Sequence, residues 1–129
     1  MIVDSSAIVA ILAEESDAEL YLRAISRDPK CRISAGNYIE LAIVIESQYG
    51  AELMRQCTAL LRSSGIAIEP VTEEQAHRAH QAFCDYGKGR HPAGLNFGDC
   101  FAYALAKVTG EPLLFKGEDF AKTDVVSAL

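Results

Sequence analysis

An α/β fold, with a mostly parallel central sheet flanked by helices, is what this sequence predicts, and three observations carry that reading. Short apolar runs alternate with longer segments of helical periodicity along the whole chain. Helix-start chemistry follows directly on the apolar runs, as at Met1-Ile2-Val3-Asp4-Ser5-Ser6, which is how a crossover leaves a parallel strand. The 129 residues are half hydrophobic and 23% charged, enough apolar surface for one full core and too much for a disordered chain.

Each element has its own signal. Met1 to Asp4 reads as a strand, and Ala7 to Ala13 as the helix it feeds. A second helix fits Asp17 to Arg27, with Leu20, Leu22, Ala24 and Ile25 as core positions and Asp28-Pro29 as its stop. Cys31 to Ser34 is a short strand whose last residue can cap a helix from Gly36 to Tyr49, ended by Gly50. Ala51 to Ser63 has helical spacing at Leu53, Met54, Cys57, Leu60 and Leu61, and Ser64-Gly65 closes it. Ile66 to Val71 alternates as a strand does. Thr72 with Gln75 three residues later forms a capping-box pattern for a helix reaching Tyr86. Gly87 to Leu95 is a glycine-rich loop, Gly98 to Val108 a helix closed by Thr109-Gly110, Leu113 to Lys116 a buried strand, and Val125-Val126 a last short strand.

No repeat, low-complexity tract or linker divides the chain, so residues 1–129 are expected to form a single domain. No apolar run approaches the roughly 20 residues of a membrane span. The first residues lack the basic n-region of a signal peptide, so a cytoplasmic protein is expected, without membrane contact. Cys31, Cys57, Cys84 and Cys100 show no metal-site or redox spacing and read as reduced thiols. Eighteen acids against twelve bases give a formal charge of −6, which excludes nucleic-acid binding through a simple basic surface. The imbalance lies mainly in residues 1–84, with twelve acids and seven bases, whereas residues 85–129 hold six and five.

In parallel sheets a site lies beyond the carboxyl ends of the strands. Three acids fall there: Asp4 after the first strand, Asp99 at the start of the helix following the glycine-rich loop, and Asp119 after Leu113 to Lys116. Glu40 joins them because it stands among Ile39, Leu41, Ala42, Ile43, Val44 and Ile45, where a charge is costly without a partner. Every one has a plainer reading. Asp4 and Asp99 can cap helices, with Asn96 and Asp99 at N-cap and N3 spacing; Glu40 can share a polar stripe with Asn37 and Ser47; Asp119 can sit in a polar turn. Placement of all four at one edge of one sheet is the informative feature. Converging carboxylates repel, so they take up protons or a cation. All-oxygen ligation favours Mg²⁺ or Mn²⁺, one or two ions, and phosphodiester hydrolysis is the chemistry this suits.

Four segments carry a family resemblance: Met1-Ile2-Val3-Asp4-Ser5-Ser6-Ala7; Glu40 within an apolar helix; Leu95-Asn96-Phe97-Gly98-Asp99-Cys100-Phe101-Ala102-Tyr103-Ala104-Leu105-Ala106-Lys107; and Leu113-Leu114-Phe115-Lys116-Gly117-Glu118-Asp119-Phe120. In order and over essentially the whole chain, they resemble the PIN domains of VapC toxins, the ribonuclease halves of type II toxin-antitoxin pairs. The resemblance implies a PIN-like three-layer fold and an Mg²⁺- or Mn²⁺-dependent endoribonuclease that leaves 5′-phosphate and 3′-hydroxyl ends. It implies Asp4, Glu40, Asp99 and Asp119 as the catalytic, metal-binding acids, with Glu118 as an alternative fourth acid. Ser6 matches the family's small hydroxyl residue, and Asn96 stands with it as a supporting residue. A cognate VapB-like antitoxin and a homodimer are implied as well.

Lys88 and Arg90, in the basic loop leading to the Asp99 helix, are candidates for RNA phosphate contacts. His77 and His80 share a helix face, but no acid or cysteine completes a metal set. A phosphoacceptor receiver domain expects adjacent acids after its first strand, and a D-x-D phosphatase expects an acid where Ser6 stands, so Ser5-Ser6 argues against both. The non-enzymatic alternative is a PIN-like module that only occupies RNA or an antitoxin.

Overall fold

The computed structural model describes residues 1–129. Strands β1 (Ile2–Val3), β2 (Arg32–Ser34), β3 (Ala67–Glu69) and β4 (Leu113–Leu114) form one sheet in the order β3-β2-β1-β4. Every pairing is parallel, with Ile2 opposite both Arg32 and Leu113, and Val3 opposite Leu114. The helices are α1 (Ser5–Leu12), α2 (Ala18–Arg27), α3 (Ala35–Gln48), α4 (Ala51–Ser63), α5 (Glu73–Tyr86) and α6 (Phe97–Thr109), with a 3₁₀ turn at Phe120–Lys122.

Strand alternation builds three layers. Val3, Ile33 and Leu114 point to one side and pack with Ile8 and Ile11 of α1, Ile25 of α2, Leu41 and Ile45 of α3, and Cys57 and Leu61 of α4. Ile2 and Leu113 point to the other side, against Ala82 of α5 and Ala102, Tyr103 and Leu105 of α6. Both faces are thus covered at β1 and β4, whose residues are all apolar and buried, whereas β2 carries Arg32 and Ser34 and β3 lies largely exposed at the sheet edge.

Four local expectations are corrected. Leu20 and Leu22 are 55% and 40% exposed, because Tyr21 and Ile25, one turn apart, take the inward face of α2. Ser34 occupies the N-cap position of α3 without a capping hydrogen bond. The Thr72 box is half formed: Thr72 Oγ1 accepts from Gln75 N, but the Gln75 side chain donates to Pro70 O instead of returning to Thr72. At the end of the chain the strand expected at Val125-Val126 is a single bridge between Leu113 and Ser127.

Because α3 starts directly at the carboxyl end of β2, its first turn lies over the sheet's C-terminal edge, where it meets the first turn of α6. The contact needs small residues. A Cβ on Gly36 would stand 2.6 Å from the Phe101 ring, and the fully buried Asn37 donates from Nδ2 to Gly98 O at 2.9 Å. Gly36→Val is therefore expected to cost about 1–3 kcal/mol by overpacking. Guanidinium unfolding checks this, and Phe101→Ala in the same chain should recover part of the loss.

Candidate functional site

Asp4 directly follows β1 and is the N-cap of α1, in extended conformation (φ −80°, ψ 153°). Its Oδ2 accepts from Ser6 N at 2.9 Å and from Ser6 Oγ at 2.5 Å. Oδ1 is buried and has no hydrogen-bond partner, although the residue is only 3% exposed. Burial raises the Asp4 pKa, and the Ser6 hydrogen bonds oppose that rise. Capping explains one oxygen of this side chain and leaves the other bare, at a cost a capping residue alone does not require.

Asp99 has the same division of labour. Asn96 Oδ1 accepts from Asp99 N and Asp99 Oδ2 accepts from Asn96 N, both at 2.9 Å, a complete capping box at the start of α6. The Asp99 pKa is pushed up to about 6, first by burial and then by the charges of Asp4, Asp119 and Glu40, against the pull of the Asn96 backbone. Glu40 reaches the same place from α3. Its carboxylate lies over Gly98, in space that a Cβ on that residue would fill. Burial and then the Asp4 charge raise its pKa.

Asp4, Ser6, Glu40, Asn96 and Asp99 line one cleft of about 340 Å³. Asp119 is exposed ahead of the 3₁₀ turn and outside the cleft lining, yet its charge acts on Asp99. As the side chains stand, no three His, Cys, Asp or Glu groups converge at metal-ligand spacing. The donors facing the cleft are nevertheless all oxygens, one of them orphaned, and a hard divalent cation is the partner such a set fits. The larger apolar groove between α5 and α6, lined by Phe83, Phe97 and Phe101 among others, holds no carboxylate.

Lys88 and Arg90 lie outside the cleft lining. Their loop is held by Lys88 N donating to Leu95 O and Arg90 N donating to Gly87 O, both at 2.9 Å, and the Arg90 guanidinium stands 5.4 Å from the Phe83 ring centroid. His77 faces Glu73 on an exposed helix surface. All four cysteines are unpaired, three of them buried and Cys84 half-buried.

Sequence reading missed three features of the site. Gly98 makes room for Glu40, a role no local pattern announces. Asn37 had been grouped with a polar stripe, and its complete burial is a tertiary fact. Lys116 lines the cleft while its ammonium is held by Glu15 and, at 2.9 Å, by Asp17, residues about a hundred positions away in sequence.

Acids gathered at the carboxyl edge of a parallel sheet, between the first turns of two helices, define a class of small three-layer α/β proteins. Residues 1–126 match the PIN domain family. A ribonuclease VapC of Mycolicibacterium smegmatis is 52% identical over 127 residues, covering 98% of each chain. Among solved structures, Mycobacterium tuberculosis VapC20, a toxin that cleaves the sarcin-ricin loop, superposes with a TM-score of 0.77 at 17% identity, over 97% of this chain and 95% of its own. A toxin-antitoxin complex from Klebsiella pneumoniae gives 0.73 at 19% identity, over 99% and 97%. The chain belongs to the PIN domain family and, within it, to the VapC type.

The raised Asp99 pKa has a consequence for stability. Its folded value of about 6 exceeds the ordinary 3.8, so between these values the folded chain binds more protons. Stability from this group is thus present below about pH 4 and is lost as pH rises through about 6. Without divalent ions, Asp99→Asn is expected to melt above the wild type at about pH 7.5 and level with it at about pH 4. Thermal unfolding at both values checks this; a pH-independent difference would contradict it.

Proposed function

We propose that this protein is a divalent-metal-dependent endoribonuclease toxin of a toxin-antitoxin pair, hydrolysing RNA phosphodiester bonds at the acidic cleft. The observation that carries the reading is Asp4 Oδ1, a buried carboxylate oxygen without a partner, in a cleft shared with two acids whose pKa values are raised. Ribonuclease VapC proteins of about half identity, and a structural neighbour that is a toxin-antitoxin complex, support the same reading.

Asp4 and Asp99 would hold Mg²⁺ or Mn²⁺, one or two ions, with Glu40 and Asp119 completing the acidic set. Such an ion supplies positive charge to the phosphoryl group and makes water at the site more acidic. The chain's own residues set the geometry. Ser6 fixes one oxygen of Asp4 by two hydrogen bonds and so aims the other. The Asn96 backbone N–H fixes one oxygen of Asp99 by a single hydrogen bond, and the N-terminus of α6 adds its partial positive charge next to the substrate phosphate. Lys88 and Arg90 bind the RNA backbone on the approach to α6, a local pair of positive charges in a chain whose net charge is −6.

The partners follow from the same charge pattern. A VapB-like antitoxin silences the site by placing a basic side chain among the acids, where arginine's planar fork fits carboxylates best. The protein works as a homodimer in the cytoplasm, without membrane contact; no helix is long and apolar enough to cross a membrane.

Asp4→Asn keeps the side chain's shape and an acceptor for Ser6 while removing the charge. RNA cleavage in Mg²⁺ is expected to fall by about 100-fold or more, the scale of one electrostatic group at the reacting atoms. The thermal midpoint should stay at or above that of the wild type. Gel analysis of total RNA with and without Mg²⁺ reads the outcome. Cleavage at the wild-type rate would sink the assignment, and a wild type that binds RNA without cutting it would leave the binding module instead.

A further inference from the structure

Lys116 is the one cation lining the acidic cleft, and its surroundings are built in an unusual way. Its ammonium is bound by both Glu15 and Asp17, in the turn joining α1 to α2. Asp17 is also tied to the buried Tyr21, whose hydroxyl donates to Asp17 Oδ2 at 3.2 Å. The preceding residue, Glu14, holds a left-handed backbone (φ 52°), the single non-glycine residue to do so, and such strain persists only where surrounding contacts enforce it. On the other side of Lys116 comes Gly117 (φ 102°), a backbone conformation that favours glycine.

The backbone N–H of Lys116 donates to Ser6 Oγ at 3.0 Å, and that hydroxyl donates to Asp4 Oδ2. With the Lys116 N–H in place, the Ser6 hydroxyl has its acceptor lone pair engaged and its proton directed at Asp4. We propose that Lys116 is a positioning residue for the metal-binding carboxylate: the Glu15–Lys116–Asp17 clasp holds the backbone N–H that orients Ser6 Oγ, and Ser6 Oγ fixes Asp4 Oδ2, leaving Oδ1 without a partner. The inference rests on the metal-dependent reading above and adds to it a residue, and a turn, on which the affinity of the site depends.

The alternative role for a lysine here is through-space electrostatics, and the two roles differ in sign. A positive charge near a cation site weakens cation binding, so deleting it by Lys116→Met tightens binding if charge is all it contributes. If the clasp positions Asp4, the same deletion loosens binding, by about 10-fold on the scale of outer-shell partners of metal ligands. The test is the Mn²⁺ dissociation constant of the full chain without RNA, read by Mn²⁺ electron paramagnetic resonance, for the wild type, Lys116→Met, Lys116→Arg, Ser6→Ala and Lys116→Met with Ser6→Ala.

Expected are weaker binding in Lys116→Met, recovery in Lys116→Arg, and a double variant no weaker than Ser6→Ala alone, because both changes break one chain of contacts. Unchanged or tighter binding in Lys116→Met, or losses that add in the double variant, would overturn the clasp while leaving the metal reading intact. A wild type that binds no Mn²⁺ would overturn both. Should Lys116→Met not fold, Asp17→Asn and amide hydrogen exchange at Lys116 decide: the clasp predicts faster exchange than in the wild type, and equal exchange contradicts it.

Discussion

The structure turns on the buried carboxylate of Asp4. The first strand is two residues long and fully buried, and the chain must leave it directly into a helix, so the residue at the junction caps that helix from inside the protein. One oxygen satisfies the helix start. The second has nothing to bond, and burial of such an atom costs about 1–3 kcal/mol that the rest of the fold must offset. Other parts of the site follow from this constraint. Ser6 steadies the bonded oxygen, β4 brings Lys116 N to Ser6, and α3 and α6 meet over the strand ends with Gly36, Asn37 and Gly98 as the residues small or polar enough to allow it.

Capping and the proposed function make use of the same arrangement. In both Asp4 and Asp99 one carboxylate oxygen is spent on hydrogen bonds at the start of a helix, from Ser6 to Asp4 and from the N-cap Asn96 N–H to Asp99, and the other makes no hydrogen bond within the protein. The cap locks the side chain, so a ligand meets an oxygen that is already in place. The Asn96 backbone N–H, donated to the Asp99 carboxylate, holds its pKa lower than burial and three neighbouring acids would otherwise leave it. An acid placed this way is destabilising in the empty protein and stabilising once a cation binds, which is the trade between stability and activity common to such sites.

Much of this was legible in the sequence, and the limits have physical causes. Alternation of apolar runs with capped helices is a local property, so the succession of elements, the mostly parallel sheet and the helices on both its faces could be read from it, whereas the order of strands within the sheet could not. Acids at strand ends could be read too, since the position of Asp4, Asp99 and Asp119 relative to an apolar run is itself a sequence feature. The inward face of α2 could not: hydropathy favours Leu20 and Leu22 over Tyr21, yet tertiary packing buries Tyr21 and Ile25 and leaves the leucines exposed. Nor could the hollow at Gly98, the burial of Asn37, or the Lys116 clasp, which join residues that only tertiary structure brings together. The plainer reading of Asp99 as a capping acid is correct, and the role proposed for it at the cleft is compatible with the cap, which occupies one carboxylate oxygen.

The central claim is that Asp4 Oδ1 and Asp99 hold a divalent cation. Anomalous diffraction from crystals equilibrated with Mn²⁺ tests it most directly. The account predicts an anomalous peak in the cleft within bonding distance of Asp4 Oδ1 and an Asp99 oxygen, absent from Asp4→Asn crystals treated alike. A peak elsewhere, or none at saturating Mn²⁺, would contradict it.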